Sequence, residues 1–191
     1  MAALARVRRE AARRVEFHIF PNCTPVEAAA LRAAWAEPLG GAIVYPMLGH
    51  RPYRDLLNAC DLVLSPFPVG GLHSTVDALK LGLPVVAMEG LDPHSRTDAM
   101  ILRRLGLPPA LIARDEEAYV RTAVQLVDGG DKRVEMGRLA LAADAGRLFA
   151  EPGQPLRTEV AEAVWAVYRR HEQIQAGARR AWTLSDIAAL P

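Results

Sequence analysis

A cluster of small and polar residues follows a short apolar run in the middle of the chain. Its members are Gly70, Gly71, His73, Ser74, Thr75 and Asp77. The amino end of a helix leaves several backbone N–H groups without partners and carries a partial positive charge, so it favours anions. Hydroxyl and imidazole groups there can donate further hydrogen bonds, and adjacent glycines let a ligand approach the backbone closely. A helix beginning near Ser74 would therefore be an anion site suited to a phosphate or a diphosphate.

Asp77 adds an acceptor to these donors, one helical turn beyond His73. An ionised carboxylate only accepts hydrogen bonds, which suits the two hydroxyls of a ribose. Donors for a diphosphate and an acceptor for a sugar at one helix end favour a nucleotide-diphosphate sugar as ligand. Residues 74–77 also fit an ordinary capping box with the carboxylate placed favourably on the helix dipole, and spacing alone leaves both interpretations open. The loop has neither the Gly-Lys-Ser/Thr ending nor the GxGxxG pattern, so ATP hydrolysis and NAD chemistry lack support.

Three further residues are candidates because they follow other predicted strands. His50 and Tyr53 come after the predicted strand at residues 42–45, and Arg96 follows the one at residues 84–88. The carboxyl ends of parallel strands meet at one edge of a sheet, where open α/β sheets bind ligands. His50 and Tyr53 are therefore predicted to reach a base or ribose, and Arg96 a phosphate or a partner. A loop histidine and a packed tyrosine are the alternatives for the first two.

The elements that position these residues alternate between strand and helix. Short β-rich or apolar runs predict strands at residues 15–20, 42–45, 62–64, 84–88 and 110–113. Helices are predicted at residues 26–39, 53–59, 95–105, 116–127, 132–149 and 157–175, besides the one near Ser74. A strand–helix alternation followed by helices alone predicts an α/β domain with a Rossmann-like parallel sheet and a helical C-terminal extension.

The predicted domain organisation has four parts. Residues 1–14 are a leader or a solvated helix, and residues 15–150 form a nucleotide-sugar-binding α/β domain. Residues 151–176 are a C-terminal helix packing on that domain, and residues 177–191 are a tail. The Arg-rich start loosely resembles a transit peptide, but it runs directly into a strand.

Composition excludes several classes of function. The 191 residues are 51% hydrophobic and carry a formal net charge of +1, so no overall field favours nucleic acid or an anionic membrane. The two cysteines, Cys23 and Cys60, lie far apart with no metal-binding spacing, which favours free thiols in a cytoplasmic protein. No apolar run is long enough for a membrane helix.

Five stretches of the chain carry a family resemblance. They are FHIFPN from residue 17, NACDLVLSPFP from residue 58, SPFPVGGLHSTVDALKLGLPVV from residue 65, DPHSRTDAMILRRLGLPPALIA from residue 92 and EEAYV from residue 116. Together the chain resembles the carboxyl-terminal part of the glycosyltransferases that unite O-linked N-acetylglucosamine transferases with bacterial cytoplasmic N-glycosyltransferases of adhesins. The bacterial branch looks closer.

That resemblance implies a metal-independent, inverting transfer from a UDP-sugar to a protein by a two-domain GT-B enzyme, with no cofactor and no metal. It makes His73, Ser74 and Thr75 similar to diphosphate-binding residues, His73 the group that assists the leaving diphosphate, and Asp77 the ribose acceptor. The bacterial branch usually has Asn where this chain has His73, so the acceptor, Asn or Ser/Thr, stays open. The 191 residues hold less than one and a half Rossmann-like lobes, so an incomplete carboxyl-terminal lobe is expected.

Two alternatives remain beside a UDP-sugar-binding lobe. In the first alternative, the chain is a truncated, non-catalytic interaction module of the same fold that needs a partner chain for the missing lobe. Less favoured is another GT-B transferase or a nucleotide-sugar epimerase acting on a small molecule, which would need charged side chains along residues 89–96 to hold a free sugar, with Glu89 as the obvious candidate.

Overall fold

A computed structural model describes residues 1–148 and 156–176 of the chain, the first five of the second range by backbone alone. The chain divides into two compact units, Met1–Leu148 and Phe149–Pro191. The first unit contains helices α1 to α7 and strands β1 to β5. In chain order these are α1 Ala2–Glu10, β1 His18–Ile19, α2 Pro25–Leu39, β2 Ile43–Val44, α3 His50–Asn58, β3 Val63–Leu64, α4 His73–Lys80, β4 Val85–Met88, α5 Thr97–Arg104, β5 Ile112–Ala113, α6 Glu116–Asp128 and α7 Gly130–Ala143. Short 3₁₀ turns lie at Pro93–Ser95, Pro109–Leu111 and Ala145–Leu148.

The strands form two small parallel sheets. β1 pairs with β2, and β4 lies between β3 and β5. All pairings are parallel, with helices as the connections between successive strands, as α/β folds require. The predicted fold class, an α/β fold with a Rossmann-like parallel sheet, is confirmed, although the strands are shorter than the apolar runs suggested.

The main core is built around β4. Val85, Val86 and Ala87 are fully buried, and buried residues of α4, α5 and α6 belong to the same hydrophobic cluster. A second cluster contains Phe17 and Leu39. The loops that follow β3 and β4 therefore emerge from the best-packed part of the molecule, which gives them a rigid base.

Helix α1 is packed and not solvated on all sides. Ala3 and Val7, four residues apart, are both buried, and α1 packs against α6. The Asp128 carboxylate at the end of α6 accepts hydrogen bonds from the backbone N–H groups of Ala12 and Arg13 at 3.0 Å. The Arg-rich composition of residues 1–14 hid this short apolar stripe.

Several predicted boundaries shift by a few residues. α3 begins at His50, three residues before the predicted helix at residues 53–59, so His50 lies on the same helix as Tyr53 and not on a loop. The helix predicted over residues 132–149 ends at Ala143, because Asp144 adopts φ 48°; Phe149 lies outside the described residues. The capping box of α2, between Thr24 and Glu27, is confirmed.

The second unit contains two helices in its described part, α8 Leu156–Arg169 and α9 His171–Ala176. The single helix predicted over residues 157–175 is therefore interrupted at Arg170. Residues 151–155 and the predicted tail at residues 177–191 lie outside the described residues. Across residues 1–148 and 156–176, none of the helices combines the length and the apolarity needed to cross a membrane.

Candidate functional site

The helix α4 begins from an unusual turn at the end of the loop that follows β3. Leu72 is the residue before the helix and adopts φ 40° and ψ −85°. The buried face of α4, which includes Thr75, Val76 and Leu79, anchors the helix in the core, whereas His73 is exposed. The first turn of α4 is therefore held firmly while its amino end faces outward.

Two backbone N–H groups at this helix start have no acceptor in the part of the chain that the structure describes. They belong to His73 and Thr75, whereas the N–H of Ser74 donates to the Gly71 carbonyl and that of Val76 to the Leu72 carbonyl, both at 3.1 Å. The Thr75 hydroxyl likewise has no partner among the described residues, although Thr75 is only 1% exposed. Buried polar groups are nearly always satisfied, so the two free donors of Thr75 are unusual, and the N–H of the exposed His73 adds a third donor beside them for a ligand.

The capping-box alternative for residues 74–77 is not what the structure shows. α4 has no side chain that caps its N-terminus, and Ser74 lies inside the first turn. The Ser74 hydroxyl donates instead to the Gly71 carbonyl at 3.0 Å. The Asp77 carboxylate is thus not a capping group, and its oxygens are available for other contacts.

The two glycines lie against a buried carboxylate. The N–H of Gly71 donates to Asp98 Oδ2 at 2.7 Å, and the N–H of Gly70 donates to the His94 carbonyl at 3.4 Å. A Cβ atom added at Gly70 would lie 2.7 Å from Asp98 Oδ2, which is too close for a side chain. The glycines therefore permit a close approach of Asp98 to the loop, and their N–H groups already have acceptors.

Four of the predicted residues come together at the start of α4. His50 Nε2 on α3 lies 4.0 Å from Asp77 Oδ2, with the His50 side chain 70% exposed and that of Asp77 25% exposed. Burial raises the pKa of Tyr53, the Asp77 carboxylate raises it further, and a hydrogen bond with Ser74 opposes the rise. The Tyr53 ring also packs edge-on against Phe20 at 5.2 Å between centroids. An acceptor, an imidazole and a phenol thus surround one side of the helix start.

Arg96 lies at the end of the loop that follows β4, the strand next to β3. Its Nε donates to the Gly90 carbonyl at 3.2 Å, and its side chain is exposed. In residues 1–148 and 156–176 it makes no hydrogen bond or ion pair with the residues around α4. Close by, Arg103 pairs with Glu89 and is the main cause of the lowered pKa of that carboxyl, to which Arg96 also contributes. The structure thus places Arg96 beside the site without bringing it into contact.

Sequence reasoning missed the buried residues that hold the loop between β3 and α4 by hydrogen bonds. Asp98, Ser65 and Tyr119 are buried and hydrogen-bonded to one another or to the loop. The one available signal was an aspartate directly before the apolar run at residues 99–102 of α5. Among the described residues no three His, Cys, Asp or Glu side chains are grouped to hold a metal ion, and metal independence stays a prediction.

Comparisons with known proteins give named relatives for about half of the chain. The UDP-glucose:protein N-beta-glucosyltransferase of Actinobacillus pleuropneumoniae serotype 5b is 35% identical over 97 residues, which are 51% of this chain and 16% of that protein. The probable UDP-N-acetylglucosamine–peptide N-acetylglucosaminyltransferase SPINDLY of Eustoma exaltatum subsp. russellianum is 38% identical over 80 residues, 42% of this chain and 8% of that protein. No family model matches the chain.

A solved structure shares the fold. A variant of the Thermobaculum terrenum O-GlcNAc transferase superposes with a TM-score of 0.73 at 22% identity, covering 91% of this chain and 34% of the other. The chain thus spans about a third or less of the length of the proteins it matches. The resemblance drawn from the sequence is confirmed: the chain is related to protein glycosyltransferases of the N-glucosyl and O-linked N-acetylglucosaminyl type and has the fold of part of a GT-B enzyme.

Proposed function

We propose that this chain is the UDP-sugar-binding lobe of an inverting, metal-independent protein glycosyltransferase. Its product would be a hexose or N-acetylhexosamine on an Asn, Ser or Thr side chain of an acceptor protein. The observation that carries the proposal is the start of α4, where the N–H groups of His73 and Thr75, which have no acceptor within residues 1–148 and 156–176, lie next to Asp77. The relatives, whose names specify UDP-sugar donors and protein or peptide acceptors, support it.

The diphosphate would bind at the amino end of α4. The N–H groups of His73 and Thr75, the Thr75 hydroxyl and the positive end of the helix dipole all favour an anion there. Negative charge grows on the diphosphate as the sugar departs, so fixed donors at that place stabilise the transition state more than the bound donor. The exposed His73 imidazole would add a further hydrogen bond to the leaving diphosphate.

The ribose would lie beyond the diphosphate, against Asp77. A carboxylate repels a phosphate but accepts hydrogen bonds from the two ribose hydroxyls, so its position one turn along the helix separates the two parts of the ligand. His50 and Tyr53 border the same place and would contact the ribose or the base. Arg96 would approach the phosphates only if its loop moves toward α4.

The acceptor half of the reaction needs residues outside this chain. In the GT-B enzymes that it resembles the active site lies between two lobes, so the other lobe would come from a partner chain or from further sequence. Cytoplasmic location is part of the proposal, since Cys23 and Cys60 are both free thiols. The second candidate, a non-catalytic module that docks on a partner chain, is favoured only by the small share of the relatives that the chain spans. Release of UDP on mixing with the missing lobe and an acceptor protein would support the enzyme, and a stable complex without turnover would support the module.

Calorimetric titration of the chain with UDP and with inorganic pyrophosphate tests the proposed donor site. UDP should bind, equally well in the presence of EDTA. Asp77→Ala should weaken UDP binding about tenfold or more, the usual cost of losing a charged hydrogen bond, and should leave pyrophosphate binding nearly unchanged. Asp131→Ala, an exposed aspartate at the start of α7, is the matched control. Tight UDP binding that survives Asp77→Ala would refute the ribose assignment, and absence of UDP binding would refute the proposed function.

A further inference from the structure

Asp98 is a buried carboxylate that depends on hydrogen bonds for its stabilisation. It lies in the first turn of α5, is 3% exposed, and forms no ion pair with the described residues. Three hydrogen-bond donors compensate for its burial instead. Oδ2 accepts from the Ser65 hydroxyl and from the N–H of Gly71, and Oδ1 accepts from the N–H of Leu72 at 2.8 Å. A buried charge is costly without such donors, so these three hydrogen bonds tie the carboxylate firmly to the loop.

These bonds continue into the core through Ser65 and Tyr119. The Tyr119 hydroxyl on α6 donates to the Ser65 carbonyl at 2.9 Å, and both residues are buried. The Tyr119 ring also packs edge-on against Phe67 of the same loop at 5.0 Å. The loop between β3 and α4 is thus fastened to α5 by a carboxylate and to α6 by a phenol.

The two backbone donors that Asp98 holds immediately precede α4. Gly71 and Leu72 are the last residues before His73, and Leu72 has a backbone conformation that a leucine rarely adopts. The N–H groups of Gly71 and Leu72 are held by Asp98, whereas those of His73 and Thr75, at the start of the helix, have no acceptor among the residues that the structure describes. Asp98 thereby separates the N–H groups used by the protein from those available to a ligand.

We propose that Asp98 is a positioning residue of the donor site, which orients the start of α4 for a diphosphate by holding the N–H groups of Gly71 and Leu72. The proposal rests on the function proposed above and deepens it. Asp98 acts through the loop and does not touch the ligand, since its side chain is buried and both of its oxygens are occupied. Its loss should therefore weaken binding of the phosphate end of the ligand specifically.

The test compares Asp98→Ala and Asp98→Asn with the wild-type chain and with Asp128→Asn. Asp128 is the matched control because its carboxylate also accepts two backbone N–H bonds, but at the contact of α1 with α6. Amide hydrogen exchange is followed by NMR at Gly71 and Leu72, and affinities for UDP and for inorganic pyrophosphate are measured by calorimetry. Asp98→Asn has the same size as the wild type and carries the test if Asp98→Ala does not fold.

In both Asp98 variants exchange at Gly71 and Leu72 should be about tenfold faster or more, and UDP and pyrophosphate should lose affinity by a similar factor, about tenfold. Asp128→Asn should leave both readouts unchanged even if its melting temperature falls as much as that of the Asp98 variants. Unchanged exchange and affinity in the Asp98 variants, or an equal loss in the control, would overturn the proposal. If the wild-type chain binds neither UDP nor pyrophosphate, the proposed function fails. In that case, unchanged exchange at Gly71 and Leu72 together with unchanged amide shifts of His73 and Thr75 would overturn the positioning role as well.

Discussion

The backbone strain at Leu72, the residue before α4, can be measured directly as a difference in stability between two variants. Its φ of 40° lies where a Cβ atom is crowded, and a non-glycine residue in such a conformation costs about 1–3 kcal/mol. Asn22 and Asp144, the other two non-glycine residues with positive φ in the described part, are of types that tolerate it. The relevant comparison is therefore between Leu72→Ala and Leu72→Gly, which lose the same side-chain contacts apart from one methyl group.

At an ordinary position glycine is the less stable of the two, by about 0.5–1 kcal/mol, because it is freer in the unfolded chain. At position 72 the strain relieved by removing Cβ exceeds that cost. Leu72→Gly should therefore be more stable than Leu72→Ala by about 1 kcal/mol. Urea unfolding of both variants, with equal m values, measures the difference.

Ala33→Gly on the exposed face of α2 is the control, and it should destabilise the protein by about 1 kcal/mol. The reasoning predicts opposite orders at the two positions: glycine above alanine at 72, and alanine above glycine at 33. If alanine is the more stable residue at position 72 as well, the turn before α4 is not strained, and the account of how the loop is held is refuted.

Two further variants probe the packing around the loop and helix. Gly137→Ala should destabilise the protein by about 1–3 kcal/mol, because the new Cβ would lie 2.5 Å from the Gly82 carbonyl oxygen. In the control Gly130→Ala the new Cβ meets no atom within 4 Å, so this variant should be neutral or stabilising when both are compared by thermal unfolding. Burial, and to a lesser degree Asp98, raises the pKa of Tyr119 above 10.0 in the folded chain, so its stabilising contribution is present below pH 10.0 and is lost as pH rises further. Tyr119→Phe should lower stability at neutral pH by about 1–3 kcal/mol through the unsatisfied Ser65 carbonyl and should show a smaller alkaline loss; equal alkaline slopes in urea unfolding would contradict this.

The parts of the fold that local signals control were predictable from sequence. Apolar runs marked β3 and β4, and the Thr24–Glu27 capping box with its proline marked the start of α2. The chain order of strands and helices then required parallel pairing. These features depend on residues within one turn or one strand of each other, so spacing alone carries them.

The hydrogen bonds that hold the candidate site in place were not predictable in the same way. Asp98 contacts residues 26 to 33 positions earlier, and no pattern in the sequence connects them. Likewise, propensity argues against leucine at a positive φ, and only the tertiary bonds of Asp98 explain why Leu72 is found there. Sequence reasoning placed the start of the helix within a residue, but not the contacts that determine which N–H groups stay free.

The most direct test of the central claim is an NMR titration of the ¹⁵N-labelled chain with UDP. If the start of α4 binds the diphosphate and Asp77 the ribose, the amide signals of His73, Thr75 and Asp77 should move most, and those of α1 and α7 should stay in place. Saturable shifts centred elsewhere, or no shifts at UDP concentrations of about 10 mM, well above the millimolar dissociation constants of weak ligands, would contradict the claim.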